Sequence, residues 1–306
     1  MEATVFTEFL VASIRIATPL LFAALGGLLS ERAGTFAVGT EGMMLAGAFG
    51  GAVATLLLGS SGAGLVVSAA SGAALGLVVA VATAKFHADQ MVTGLAVNIL
   101  AIGLTSFLLR ALFGGEAPIV QLETLAALPV PYLADIPVVG ATLFRQPALT
   151  YTAFALAIAI HVFLKTRSGL TLRAVGENPE AAFAVGADPV RIRMLAIITG
   201  GALAGLGGAV LSLQEVGTFT DGMTNGRGFI ALAAIIVGRW MPLGAIMGCL
   251  MFGAVSALEL RVQGWGLPVT SYVIQMTPYV AALVILAGIG RGAQASAAIG
   301  RPFIRH

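Results

Sequence analysis

Glu41 stands between Thr40 and Gly42 in the stretch SERAGTFAVGTEG, with an apolar run directly after it. A carboxylate inside a membrane span is costly unless it is paired, protonated or wetted. Gly34, Gly39 and Gly42 weaken the helix at that point, and a half-helix or re-entrant segment there could leave backbone groups lining a cavity. Two readings follow. Thr40, Glu41 and Gly42 line a translocation path, or Glu41 makes a structural pair with Arg32 or Arg239. Asn98 and Gln275, also within apolar runs, pose the same choice between interhelical hydrogen bonds and contact with a solute. Arg15, in the first run, either snorkels or meets a carboxylate.

Other chemistry fails on spacing. Lys85 and Lys165 follow no Gly-x-x-x-x-Gly loop, so the chain has no phosphate-cradling motif of its own. His87, His161 and His306 lack metal-ligand spacing, and the single cysteine, Cys249, offers neither a disulfide framework nor a thiolate site. No metal or cofactor is expected. Gly59-Ser60-Ser61-Gly62 superficially matches an intramembrane serine nucleophile, but it reads as a turn without a histidine partner. No basic tract suggests nucleic acid.

A second informative stretch is GENPEAAFAVGADP, Gly176–Pro189. Asn178 is a good N-cap, Pro179 suits the first helical position, Glu180 favours the positive helix end and Gly186 is a stop. About two turns result, too short to be stable alone. Ala181, Ala182, Phe183 and Val185 offer the surface by which they pack, against a membrane interface or a peripheral protein.

The elements that hold these residues are apolar. The chain is 58% hydrophobic and 10% charged, with a mean hydropathy of +0.99, far from the roughly one-quarter charged composition of soluble domains. It is expected to be all-α, a polytopic transmembrane bundle of one domain over residues 1–306. Apolar runs place about nine crossings near Phe9–Leu29, Val38–Leu58, Gly64–Ala84, Met91–Phe113, Leu149–Leu164, Met194–Leu213, Phe229–Val237, Leu243–Leu260 and Tyr272–Ile289; the seventh is too short to span unaided. The first run reads as a retained span, not a cleaved leader. Lys165, Arg167, Arg173, Arg191 and Arg193 crowd the segment 165–193, and with Arg32, Lys85, Arg239 and a basic tail they fall on one side, expected to be cytoplasmic. Gly114–Pro147, rich in proline and carrying Glu116, Glu123 and Asp135, is an external loop. The N-terminus is then outside and the C-terminus inside. Glycines four apart, such as Gly47/Gly51 and Gly201/Gly205, predict close helix packing. Gly42 and Gly51-Ala-Val-Ala echo Gly244 and Gly253-Ala-Val-Ser at an offset of 202 residues, the kind of internal repeat on which transporters with interrupted helices are built.

Three stretches together carry a family resemblance: LSERAGTFAVGTEGMMLAGAF, LRAVGENPEAAFAVGADPVRIRMLAIITGGALAGLGGAVLSL and GRGFIALAAIIVGRWMPLGAIMGCLMFG. Over nearly its whole length the chain resembles the permease subunits of bacterial ABC importers for nucleosides and simple sugars. This is the branch of the ribose-type permeases whose binding proteins are basic-membrane-protein lipoproteins. The resemblance implies that Asn178–Gly186 is the cytoplasmic coupling helix within loop 165–193, and that interrupted helices around Thr35–Gly42 and Gly226–Gly244 lie near the pathway. It implies a second permease subunit, most simply a different chain, a separate cytoplasmic ATPase and an extracytoplasmic binding lipoprotein. The expected function is ATP-driven alternating access for a neutral nucleoside, with no enzyme chemistry in this chain. A simple-sugar permease is the alternative. A stand-alone secondary transporter fits poorly, because it needs ion-coupling carboxylates where Glu41 is the main intramembrane acid and Glu259 sits at a span end. Arg15 is read as the lone mid-span cation, so a path lined by groups such as Thr40, Asn98, Thr105 and Gln275 suits an uncharged solute.

Overall fold

The computed structural model describes residues 2–114, 125–134, 136, 139–264, 276–289 and 295–304. Helix α1 (Glu2–Arg32) leads into a break and α2 (Thr40–Leu58). Gly59, in the left-handed region at φ 63°, ends α2, and Ser60 caps α3 (Ser61–Ala80) through the Ala63 amide. The serine pair is thus part of a helix cap. A π turn, Val81–Lys85, extends α3, and Asp89 caps α4 (Gln90–Phe113).

The loop after α4 contains β1 (Ala127–Pro129), α5 (Val139–Leu143) and β2 (Arg145–Pro147), the strands pairing antiparallel. Then come α6 (Ala148–Phe163), α7 (Arg167–Glu177), α8 (Pro179–Ala184) and α9 (Pro189–Ala209), which continues as a π-helical segment, Val210–Val216. The chain ends with α10 (Arg227–Val237), α11 (Pro242–Gly264) and α12 (Thr277–Ile289).

Six of these helices are long and apolar enough to cross a membrane, or seven if α6 and α7, bent by 78°, count as one span. The nine apolar runs therefore give fewer full crossings than expected among the described residues. The shortfall has two sources. The seventh run is only the 11-residue α10, about 16 Å of helix against a hydrocarbon core of about 30 Å. The ninth run begins among residues outside those described, leaving α12 with 13.

Glycine sets the centre of the bundle. A Cβ on Gly47 of α2 would strike the backbone of Gly205 in α9, and one on Gly72 of α3 would meet Gly201 and Gly205. The three helices thus touch backbone to backbone, the packing that small residues permit in lipid. Beside them a core of Phe22, Leu25, Met44, Ile235 and Phe252 joins α1, α2, α10 and α11.

One face gathers the basic segments. The buried Arg193 donates from Nε to the Ala33 carbonyl (3.1 Å) and from Nη1 to that of Arg301 (2.8 Å), while His87 Nε2 lies 2.9 Å from the Phe303 carbonyl. The end of α1, the α3–α4 turn, the α7–α9 segment and the tail 295–304 therefore share this face. At the far end Arg261 of α11 meets Glu8 (3.9 Å) and the ring of Phe9.

Candidate functional site

The break before α2 is built around two polar side chains. Asn98 of α4 donates from Nδ2 to the Val38 carbonyl (2.9 Å) and accepts from the Gly42 amide at Oδ1 (2.8 Å). It bridges both sides of the break. Glu41, buried, turns the other way: Oε1 accepts from the Gly226 amide (2.8 Å) and Oε2 from the Gly228 amide (2.6 Å). These amides open α10, so the carboxylate caps a helix whose first turn has no intrahelical acceptors, at the positive end of its dipole. Gly226 takes φ 77°, and a Cβ on Gly228 would sit 2.6 Å from Glu41 Cα. Only glycine leaves room for the cap.

Arg32 is not the partner of Glu41. Its Nε donates to the Trp240 carbonyl (2.8 Å) at the other end of α10. There Glu31, also buried, accepts from Trp240 Nε1 (2.5 Å) and from the Ala37 backbone. Arg239 and Trp240 both adopt positive φ, 56° and 54°, a costly conformation for non-glycine residues that surrounding contacts must hold. The short stretch from Glu31 to Glu41 thus grips α10 at its start and its end.

Thr40, Glu41, Gly42 and Asn98 come together at this break; the Thr40 hydroxyl turns back to the Ala37 carbonyl. Gln275 lies outside the described residues. Reading the sequence missed Glu31 and Trp240. The signal that singled out Glu41, an acid beside an apolar run, applied equally to Glu31.

On the basic face α8 has the cap expected of it. Asn178 Oδ1 accepts from the Ala181 amide (2.9 Å), Pro179 is the first helical residue and Gly186 stops the helix at φ 92°. Its surface differs from the expected one. Ala182 is buried and Phe183 packs on Phe303 of the tail with ring centroids 5.6 Å apart. The exposed residues are Glu180, Ala181, Ala184 and Val185. No group of three or more metal-ligating side chains occurs among the described residues.

Comparisons with known proteins give the family. Residues 9–289 match the family described as branched-chain amino acid transport system / permease component. The chain belongs to this permease family. It is 37% identical over 306 residues to the guanosine ABC transporter permease protein NupQ of Bacillus subtilis, covering 96% of this chain and 95% of the relative. It is 39% identical to the nucleoside ABC transporter permease protein NupC of Lactococcus lactis, covering 92% of each. It is 38% identical to the putative glucose ABC transporter permease protein TsgC13 of Haloferax volcanii, covering 84% of this chain and 78% of the relative. No solved structure matches. The chain is a multi-pass membrane transport subunit of the ABC permease class.

Proposed function

We propose that this permease forms half of the membrane pathway of an ABC importer for neutral nucleosides. A second permease chain, a cytoplasmic ATPase and an external binding lipoprotein complete it. The observation that carries the reading is the half-helix α10 held by Glu41 at the break before α2, joined to the likeness to NupQ and NupC. Interrupted helices that meet within the membrane are the usual material of a solute path. All nine apolar runs enter the membrane in this reading, α10 as a re-entrant half. The glycine echo supports a repeat: Gly42 and Gly244 are each the third residue of a helix that follows a break, α2 and α11. The basic face is cytoplasmic, which places the N-terminus outside, and α8 within loop 165–193 is the coupling helix. Closure of the ATPase pair moves α8 and rocks the bundle.

Two measurements test this. A cysteine replacing Ser168 should be labelled only from the cytoplasm and one replacing Glu123 only from outside; labelling of both from one side overturns the topology. Vesicles holding the assembled importer should take up radiolabelled inosine on ATP, without competition from its monophosphate. Uptake of a sugar but no nucleoside would sink the substrate reading and leave the permease standing. The likeness to TsgC13 favours a simple sugar as the second reading.

A further inference from the structure

Beside the start of α10, next to the Gly226 amide that Glu41 caps, two adjoining cavities open between α1, the π segment, α10, α11 and α12. The outer is about 580 Å³ and the inner about 200 Å³; both are walled by Ile16, Leu260 and Glu215. Arg15 reaches the outer cavity, and Asn225, Arg227, Glu259 and Tyr279 the inner one. Glu215 is delivered by the π-helical turn that ends the α9 span, a distortion often found where a helix must aim a side chain at a function. Its Oε1 is buried and has no hydrogen-bond partner among the described residues. A carboxylate has acceptor sites on both oxygens, and leaving one buried and empty is costly. Three other polar groups on the inner wall have partners. The Tyr279 hydroxyl donates to the Asn225 carbonyl (2.7 Å), Arg227 Nη1 donates to the Met223 carbonyl (3.0 Å) and Glu259 accepts from Gln263 (3.0 Å).

Charge narrows what fits. Glu215 feels both Arg227 and Arg15, and Glu259 feels Arg227. Glu8, the third acid on the walls, is met by Arg261 (3.9 Å), so Arg15 and Arg227 balance Glu215 and Glu259 and neither an anion nor a cation is favoured. The unfilled acceptor needs a donor, and Arg227, with five N–H donors and one of them on Met223 among the described residues, can also meet an acceptor beside it. We infer that this cavity is a stopping point for a neutral solute bearing adjacent hydroxyls, with Glu215 accepting from the diol and Arg227 donating to a neighbouring oxygen. A ribose and a simple sugar share that chemistry, and the inference rests on the importer reading above only for its choice of solute.

The test uses the complete importer in proteoliposomes with one binding protein throughout. Uptake of tritiated inosine and of tritiated 2′,3′-dideoxyinosine is compared in wild type and in Glu215→Gln. Inosine uptake should fall about tenfold or more, the scale of one charge-assisted hydrogen bond, while dideoxyinosine uptake changes less than about twofold. The binding protein's own preference cancels in that ratio. Equal loss for both solutes, no loss for either, or failure of the variant to assemble would make Glu215 structural or idle and overturn the site. If wild type carries neither nucleoside, the solute reading fails separately; the same variant is then read with tritiated D-glucose and tritiated 2,3-dideoxyglucose, where a tenfold loss confined to glucose upholds the site and an equal loss or unchanged uptake removes it.

Discussion

The α2–α3–α9 cluster and α10 are both held deep in the bundle, with a different balance of backbone contact and polar bonds. In the first, glycine brings backbones into contact at Gly47, Gly72, Gly201 and Gly205, with only small side chains such as Ser68 between the helices. In the second, a short helix also meets the backbones of α2 and α11, at Gly228 and Ala234, but polar side chains bind its two ends, Glu41 at the start and Glu31 with Arg32 at the finish. Backbone contact resists sliding because every ångström of separation loses packing over a whole face. A few polar bonds can exchange partners as a unit, which suits an element that must change state between inward and outward access. We therefore expect the glycine cluster to be the fixed body and α10 the moving part.

The largest effect should come from breaking the fixed body. Gly205→Val puts a branched side chain against the Ser68 carbonyl and the Gly72 backbone. No rotamer relieves a clash at Cβ, so the loss should be about 3 kcal/mol or more. Thermal unfolding of the purified complex should show little or no assembled protein. Assembly at wild-type yield would mean that α3 and α9 do not approach as closely as described.

The clamp on α10 should cost less. Glu41→Ala strands the amides of Gly226 and Gly228 in a buried place and removes a charge from the helix start, worth about 2–3 kcal/mol. Glu41→Gln keeps one acceptor and should cost roughly half as much. If Glu41 also touches solute, Glu41→Gln will lose transport out of proportion to its fall in melting temperature. Proportionate losses assign it to the clamp alone.

Asn98→Ala comes next, at about 1–2 kcal/mol for two buried amide bonds. It frees the break before α2 without touching α10 directly. Melting should fall modestly, and hydrogen exchange at the Gly42 amide should rise. A Gly42 amide as protected as in wild type would show that the break is held by something else.

These bonds mark where the sequence stops being legible. The apolar runs gave the helices, and the Asn178-Pro179 pair gave the start of α8, because caps and hydropathy act within a few residues. Glu41 was conspicuous for the same local reason, yet its partners lie 185 and 187 residues away. Glu31 and Trp240 are 209 apart. No local rule joins them; the proximity is made by α1, α2, α10 and α11 packing together. Glu215 was overlooked because it ends an apolar run and reads as an interfacial acid until the π turn directs it inward. The tail looked merely basic. Its return over α7 and α8 is held in part by Arg193, a buried cation near the start of α9 that serves three carbonyls, Ala33, Ala298 and Arg301.

That tail decides how α8 should be tested, where the smallest effect on stability is expected. A charge at Phe183 would disturb its packing on Phe303 as well as any docking, and an aromatic contact of this kind is worth about 1 kcal/mol. Glu180 and Val185 are cleaner, since both are exposed and Val185 keeps 85% of its surface open. Exposed substitutions away from special features shift stability by less than about 0.5 kcal/mol. Glu180→Lys with Val185→Asp should therefore leave melting and assembly unchanged. If α8 carries the ATPase stroke to the clamp on α10, the same double variant should hydrolyse ATP without moving solute. Uptake coupled to hydrolysis at the wild-type ratio would take the stroke away from α8. Arg193 and the tail, which bind α8's neighbourhood directly to the break before α2, would then be the remaining route between ATPase and path.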